Sequence, residues 1–192
     1  MVAHKYKRNK GEIVVVGIDQ ALVNLGFALN TDGKMFTLVF KEPDSRAGQR
    51  LCNHRRNLKI YLSLYRPQLV AVEGYSIDST NRPFDLGEIG GVVKCLLAEL
   101  EIPCIVVAPK SLKRFVTGSG TASKDKMIAY VNKYYGVKTE DDNAADAAGL
   151  ARFAEVYLTN NSLRRCELEG VKKFKQDENR TGAKKFKREK GV

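Results

Sequence analysis

Tryptophan is absent from this chain, and histidine occurs only twice, as His4 and His54. The four cysteines (Cys52, Cys95, Cys104, Cys166) show no Cys-x-x-Cys spacing. So few soft ligands without metal-site spacing exclude zinc as the organising feature. Most of the cysteines are expected as small core fillers in a reducing cytosol. No stretch approaches the roughly 18 uninterrupted apolar residues of a membrane span, and no secretory h-region follows the start. A cytoplasmic protein with no membrane partner and no small-molecule cofactor is the expectation.

Negative charge is also scarce: 33 Lys and Arg face 22 Asp and Glu, for a net charge of +11. The excess is uneven. Residues 1–10 carry +4 and residues 159–192 carry +6, which leaves +1 for the body. Basic ends on a near-neutral body suit a polyanion, because each phosphate contact releases condensed counterions. A solubility tail is the plainer alternative. Three segments follow: a flexible basic arm, 1–10; a globular body, 11–158; and a basic tail, 159–192. The tail holds Lys172-Lys173-Phe174-Lys175 and Lys184-Lys185-Phe186-Lys187 and is expected to be disordered when unbound.

Within the body, residues 12–18 read as a buried strand, and Gly26 to Leu29 begins a second. Asn30-Thr31-Asp32-Gly33 has hairpin-turn chemistry, and Met35 to Phe40 makes a third strand. Leu51, Leu58, Leu62 and Tyr65 recur at helical spacing over 47–65, and Pro67 follows the stop. A strand at 69–72, an irregular stretch from Gly74 to Pro83, a helix at 84–100 and a strand from Cys104 to Ala108 follow. Pro109 is read as opening a Gly/Ser/Thr-bearing loop, with helices at 123–135 and 143–158 closing the domain. The order βββαβαβαα predicts an α/β fold, a mixed five-stranded sheet flanked by helices.

The chemistry concentrates in the acids. Asp19 ends the apolar run Ile13 to Ile18, and Glu73 ends Leu69-Val70-Ala71-Val72. Asp141-Asp142-Asn143-Ala144-Ala145-Asp146 opens an alanine-rich helix. Each acid alone reads equally well as a solvated strand end or a helix cap. Together they are suited to holding two magnesium ions against a phosphodiester, since buried like charges are costly unless cations neutralise them. A helix turns about 100° per residue, so Asp142 and Asp146 share a face while Asp141 is rotated away. Asn143 is left as a neutral ligand or an outer contact.

These stretches resemble the RuvC-type Holliday junction resolvases of the ribonuclease H-like superfamily. The resemblance rests on Gly17-Ile18-Asp19-Gln20 to Ala28, Val72-Glu73, Phe84 to Val92, Pro109 to Lys126 and Asp142 to Ala151. It spans roughly residues 12–158 and is nearest to phage-type members. Two departures stand out. Gln20-Ala21 replaces the usual Pro-Gly, and Asn143 stands where the bacterial pattern has an aspartate.

The resemblance implies a magnesium-dependent endonuclease, with manganese as a substitute, that nicks opposed strands of four-way or branched DNA. Products would carry 5′ phosphate and 3′ hydroxyl ends. Asp19 would bridge two ions, Glu73 would bind one, and Asp142, Asp146 and Asn143 would complete the set. Lys124 would sit near the scissile strand, and Lys113 or Lys110 on adjoining backbone. Lys126, Tyr75 and Arg82 are further DNA-binding candidates, with Arg55 beside them. A homodimer through the helix at 84–100 and residence in a bacterial or phage-infected cytosol complete the expectation. The alternatives are another ribonuclease H-like nuclease, acting on RNA or less specific branched DNA, and a non-catalytic nucleic-acid-binding domain.

Overall fold

The computed structural model describes residue 6 and residues 8–43, 46–75 and 83–181. Five strands, β1 (Val14–Asp19), β2 (Asn24–Thr31), β3 (Lys34–Lys41), β4 (Leu69–Glu73) and β5 (Cys104–Val107), form one sheet in the order β3-β2-β1-β4-β5. The first three are antiparallel, and β4 and β5 run parallel to β1. The β2–β3 link is the two-residue turn Asp32-Gly33, both with positive φ (48° and 80°), as a primed hairpin turn requires.

The helices are α1 (Ala47–Tyr65), α2 (Pro83–Glu99), α3 (Pro109–Thr117), α4 (Lys124–Tyr135), α5 (Asp142–Thr159) and α6 (Arg165–Thr181). Alternation along the strands divides the core in two. Val14, Val16 and Ile18 pack with Leu58 and Leu62 of α1 and with Ile89, Val93 and Leu96 of α2. Val15, Ala71 and Val107 face the other way, toward Leu112, Phe115, Val131 and the alanines of α5. By the same period of two, Asp19 and Glu73 belong on the α5 face.

Two glycines let α5 lie on the sheet. A Cβ on Gly17 would stand 2.0 Å from the Ala147 carbonyl oxygen, and one on Gly26 2.2 Å from that of Asn143. The alanine-rich face of α5 thus meets bare backbone, and its first turn is brought to the ends of β1 and β4.

Three expectations need correction. Pro109 opens a helix, not a loop: it occupies the first turn of α3, where its missing N–H costs nothing, and Leu112, Phe115 and Val116 are buried. The basic ends are also partly docked. Tyr6 packs on Tyr65, with ring centroids 5.3 Å apart, and Arg8 donates to the Arg66 carbonyl. Residues 165–181 form α6, anchored by buried Val171 and by Phe174, whose ring lies 5.3 Å from that of Phe153. Only residues 182–192 of the expected tail lie outside the described residues. Finally, Cys52 and Cys95 are exposed and are not core fillers.

Gly17→Ala should destabilise the protein by more than about 3 kcal/mol, because its methyl meets helix backbone that cannot move aside. Chemical denaturation checks this. A midpoint unchanged from wild type would show that α5 does not depend on that close approach.

Candidate active site

Asp19 and Glu73 end adjacent parallel strands, since Ile18 pairs with Val72 one step earlier. Asp19 is almost wholly buried, and its carboxyl is held well above the usual carboxylate range, first by burial and then by the charge of Glu73. A hydrogen bond joins the two side chains. Glu73 is also raised by burial, against the pull of Lys113.

Helix α5 supplies the other acids. Asp141 is the N-cap, accepting from the Ala144 amide at 3.1 Å, and so is turned away as the helical geometry requires. Asp142, half-buried, pairs with Lys124 at the start of α4, and its carboxyl is lowered by that contact. Asp146 lies deeper and is pushed up to about 7, mainly by burial and next by Glu73. Asn143 is the residue whose backbone seats on Gly26.

The lysines divide. Lys124 and Lys113 both act on Asp146, so α3 and α4 each present one cation to the acids. Lys110 is exposed on α3, and Lys126 stands 5.7 Å over the Tyr130 ring, along α4. Tyr75 is exposed, with the Lys94 ammonium 5.1 Å from its ring centroid and its hydroxyl lodged where Gly90 of α2 has no Cβ. Arg55 is engaged with Glu99 at 2.5 Å. Arg82 lies outside the described residues.

One residue of the site was not singled out from sequence. Gln20, noted in the sequence only as a departure from the usual Pro-Gly, is buried and donates through Nε2 to the Glu73 carbonyl at 2.6 Å. It ties the ends of β1 and β4 together, directly beside Asp19. The signal was its position: immediately after Asp19, it takes the opposite face of the strand.

The family model for crossover junction endodeoxyribonuclease RuvC matches residues 15–153. The chain belongs to the RuvC family. A RuvC from Prochlorococcus marinus strain MIT 9211 is 27% identical over 147 residues, covering 72% of this chain and 93% of that one. A RuvC from Rhodococcus jostii strain RHA1 is 30% identical, covering 71% and 78%. Among solved structures, Thermus thermophilus RuvC superposes with a TM-score of 0.62 at 26% identity, over 72% of this chain and 91% of that one. The same protein in complex with Holliday junction substrate gives the same score. The sheet and its flanking helices are therefore those of the ribonuclease H-like RuvC fold.

Membership in the RuvC family implies dependence on divalent metal. Among the described residues, no three His, Cys, Asp or Glu side chains converge tightly enough to enclose an ion by themselves. The donor chemistry nonetheless fits a hard cation: all are oxygen ligands, and Asp19 is buried while Glu73 and Asp146 are partly buried, like charges set close together out of bulk water.

This frustration has a pH signature. In the unfolded chain Asp146 releases its proton near 3.8, whereas in the folded protein it keeps it to about 7. The folded state binds more protons in that window, so stability is highest below it and falls as pH rises through it. In chelator-treated protein the melting temperature should drop between about pH 5 and pH 7.5, and Asp146→Asn should flatten the slope. A wild-type profile that is level or rising would contradict the burial of these acids.

Proposed function

We propose that this chain is a structure-selective endonuclease that resolves four-way (Holliday) or branched DNA by paired nicks, leaving 5′ phosphate and 3′ hydroxyl ends. The observation that carries the reading is the set of carboxylates, one buried and the others partly buried, at the ends of β1, β4 and the start of α5, faced by two lysines. The Thermus relative's complex with Holliday junction substrate supports the choice of DNA.

Asp19, Glu73, Asp142 and Asp146, with Asn143 as a neutral ligand or outer contact, would hold two magnesium ions, or manganese in their place. Such ions activate a water and stabilise a leaving 3′ oxygen. The pairing of β1 with β4 and the Gln20 tie hold the backbones of Asp19 and Glu73 in place, so the scaffold needs little reorganisation to receive cations. Lys124 is 77% exposed and borrows Asp142 as a partner, which leaves it able to turn to a phosphate. The α4 N-terminus beside it adds free amide donors. Lys113 reaches the acids from α3, while Lys110, Lys126 and Tyr75 extend the DNA surface outward; Arg82 stays a candidate from the sequence alone.

A two-fold junction calls for a two-fold enzyme. The outer face of α2 fits a second copy: Phe84 is 84% exposed, Cys95 is exposed, and added methyls on Gly87 and Gly91 would meet nothing within 4 Å. No described helix is long and apolar enough to cross a membrane, and the bacterial or phage-infected cytosol is the proposed location. The nuclease domain is taken as residues 11–158, with α6 packed onto it.

Cleavage of a labelled four-way junction, a flap, a linear duplex and an RNA–DNA hybrid in magnesium tests the reading. Paired symmetric nicks in the junction are expected. Preferential cutting of the hybrid, or binding without cutting, would overturn it. Asp19→Asn should abolish cleavage and leave junction binding intact or tighter. Asp142→Asn should be more damaging than Asn143→Ala; the reverse order would place Asn143 in the ligand position.

Residues 182–192 hold Lys184, Lys185, Lys187, Arg188 and Lys190 against Glu189. If about three of the five reach phosphates, deleting this segment should lower the log–log salt slope of binding by roughly two to three. Single-turnover cleavage at saturating enzyme should survive the deletion. An unchanged slope would show that these residues do not touch DNA.

A further inference from the structure

Helix α6 lies beyond the span matched by the RuvC family model, which ends at residue 153. Its first turn is nevertheless among the most tightly bound parts of the molecule. The Glu167 carboxylate is fully buried and accepts from the Tyr135 hydroxyl at 2.9 Å, Arg152 Nε at 3.0 Å, Ser162 Oγ at 2.6 Å and Arg164 Nη1 at 2.9 Å. A buried carboxylate survives only with such complete pairing.

Arg164 carries this anchor outward. Its Nη2 donates at 2.6 Å to the carbonyl of Val116, one of the α3 C-terminal oxygens that the helix itself leaves unpaired. Its guanidinium lies 4.3 Å from the ring centroid of Tyr134 and 5.7 Å from that of Tyr130, both on α4. A little further along α6, Gly170 lies so close to Phe115 of α3 that an added Cβ would be 3.3 Å from the ring. One side chain thus grips α3 and α4 at once. These two helices carry Lys113 and Lys124, whose charges act on Asp146 from outside α5.

We propose that Arg164, locked by Glu167, is a positioning residue for DNA cleavage. It clamps the α3–α4 pair against α5 so that Lys113 and Lys124 face the carboxylates, and α6 is thereby a working part of the nuclease. Its kinetic consequence rests on the nuclease reading above.

Arg164→Gln should lower the single-turnover cleavage rate at saturating enzyme by about tenfold at a temperature where the variant is folded. Arg164→Lys should recover little of it, since an ammonium cannot both fork and stack. Combined with the double variant Lys113→Ala/Lys124→Ala, Arg164→Gln should add almost no further loss, because it acts through those two lysines. A wild-type rate for Arg164→Gln, or losses that simply multiply, would overturn the proposal.

Should Arg164→Gln fail to fold, Gly170→Ala keeps every polar tie and presses only on Phe115. A loss of about two- to threefold with the same non-additivity toward the Lys113→Ala/Lys124→Ala double variant is expected, and full activity would count against the clamp. If wild-type protein cuts no branched DNA, the nuclease reading fails. Hydrogen exchange then judges the clamp alone. Arg164→Gln, or Gly170→Ala in its place, should speed exchange in residues 109–135 and leave β1 and β4 protected; unchanged exchange in α3 would overturn it.

Discussion

Asp19 is buried, and Glu73 and Asp146 partly buried, beside one another at one end of the sheet, and each is held above the usual carboxylate range chiefly by desolvation. Three like charges in such a place oppose folding unless protons or cations neutralise them. The remaining architecture makes their approach unavoidable. Gly17 and Gly26 let α5 press its alanine face onto backbone, the parallel pairing of β1 with β4 sets Asp19 beside Glu73, and Gln20 fastens those two strand ends together. The fold gives up stability at this point, and a divalent cation held there, as proposed, would return it. Membership in the RuvC family, whose activity depends on divalent metal, is consistent with that exchange.

Around the acids stands a second, cationic layer. Lys113 and Lys124 arrive on α3 and α4, neither of which contributes a strand-end acid. Their placement depends on how those helices are held from behind. Arg164 caps α3, stacks on the α4 tyrosines and ends on the buried Glu167. Lys175 closes the far side by donating to the Tyr157 carbonyl at the end of α5, at 2.8 Å. The segment richest in positive charge is therefore fixed to the body over 165–181, leaving the lysines of 182–192 as the proposed contribution to general DNA attraction.

Much of this was legible in the sequence because it follows from local periodicity. Apolar runs ending in an acid marked β1 and β4, Asp32-Gly33 marked the hairpin, and the 100° helical step separated Asp142 and Asp146 from the capping Asp141. What escaped had no local signature or a misleading one. Pro109 was read as a loop opener, although Leu112, Phe115 and Val116 at helical spacing follow it. In α6 the lysine-rich composition outweighed Val171 and Phe174, two anchors three residues apart. Glu167 and Arg164 are intelligible only with Tyr135, Arg152 and Val116, which the chain brings from up to 48 residues away. Gln20 was visible as a departure from the family pattern, but its bond to Glu73 spans 53 residues.

The central claim is that the buried acids form a cation site. A crystal structure of the full chain soaked in manganese, with anomalous scattering recorded, tests it most directly. The account predicts anomalous density within bonding distance of Asp19 and of at least one of Glu73, Asp142 and Asp146, with the Asp19–Glu73 hydrogen bond broken. Manganese bound elsewhere, with that hydrogen bond intact in protein that still cleaves DNA, would contradict it.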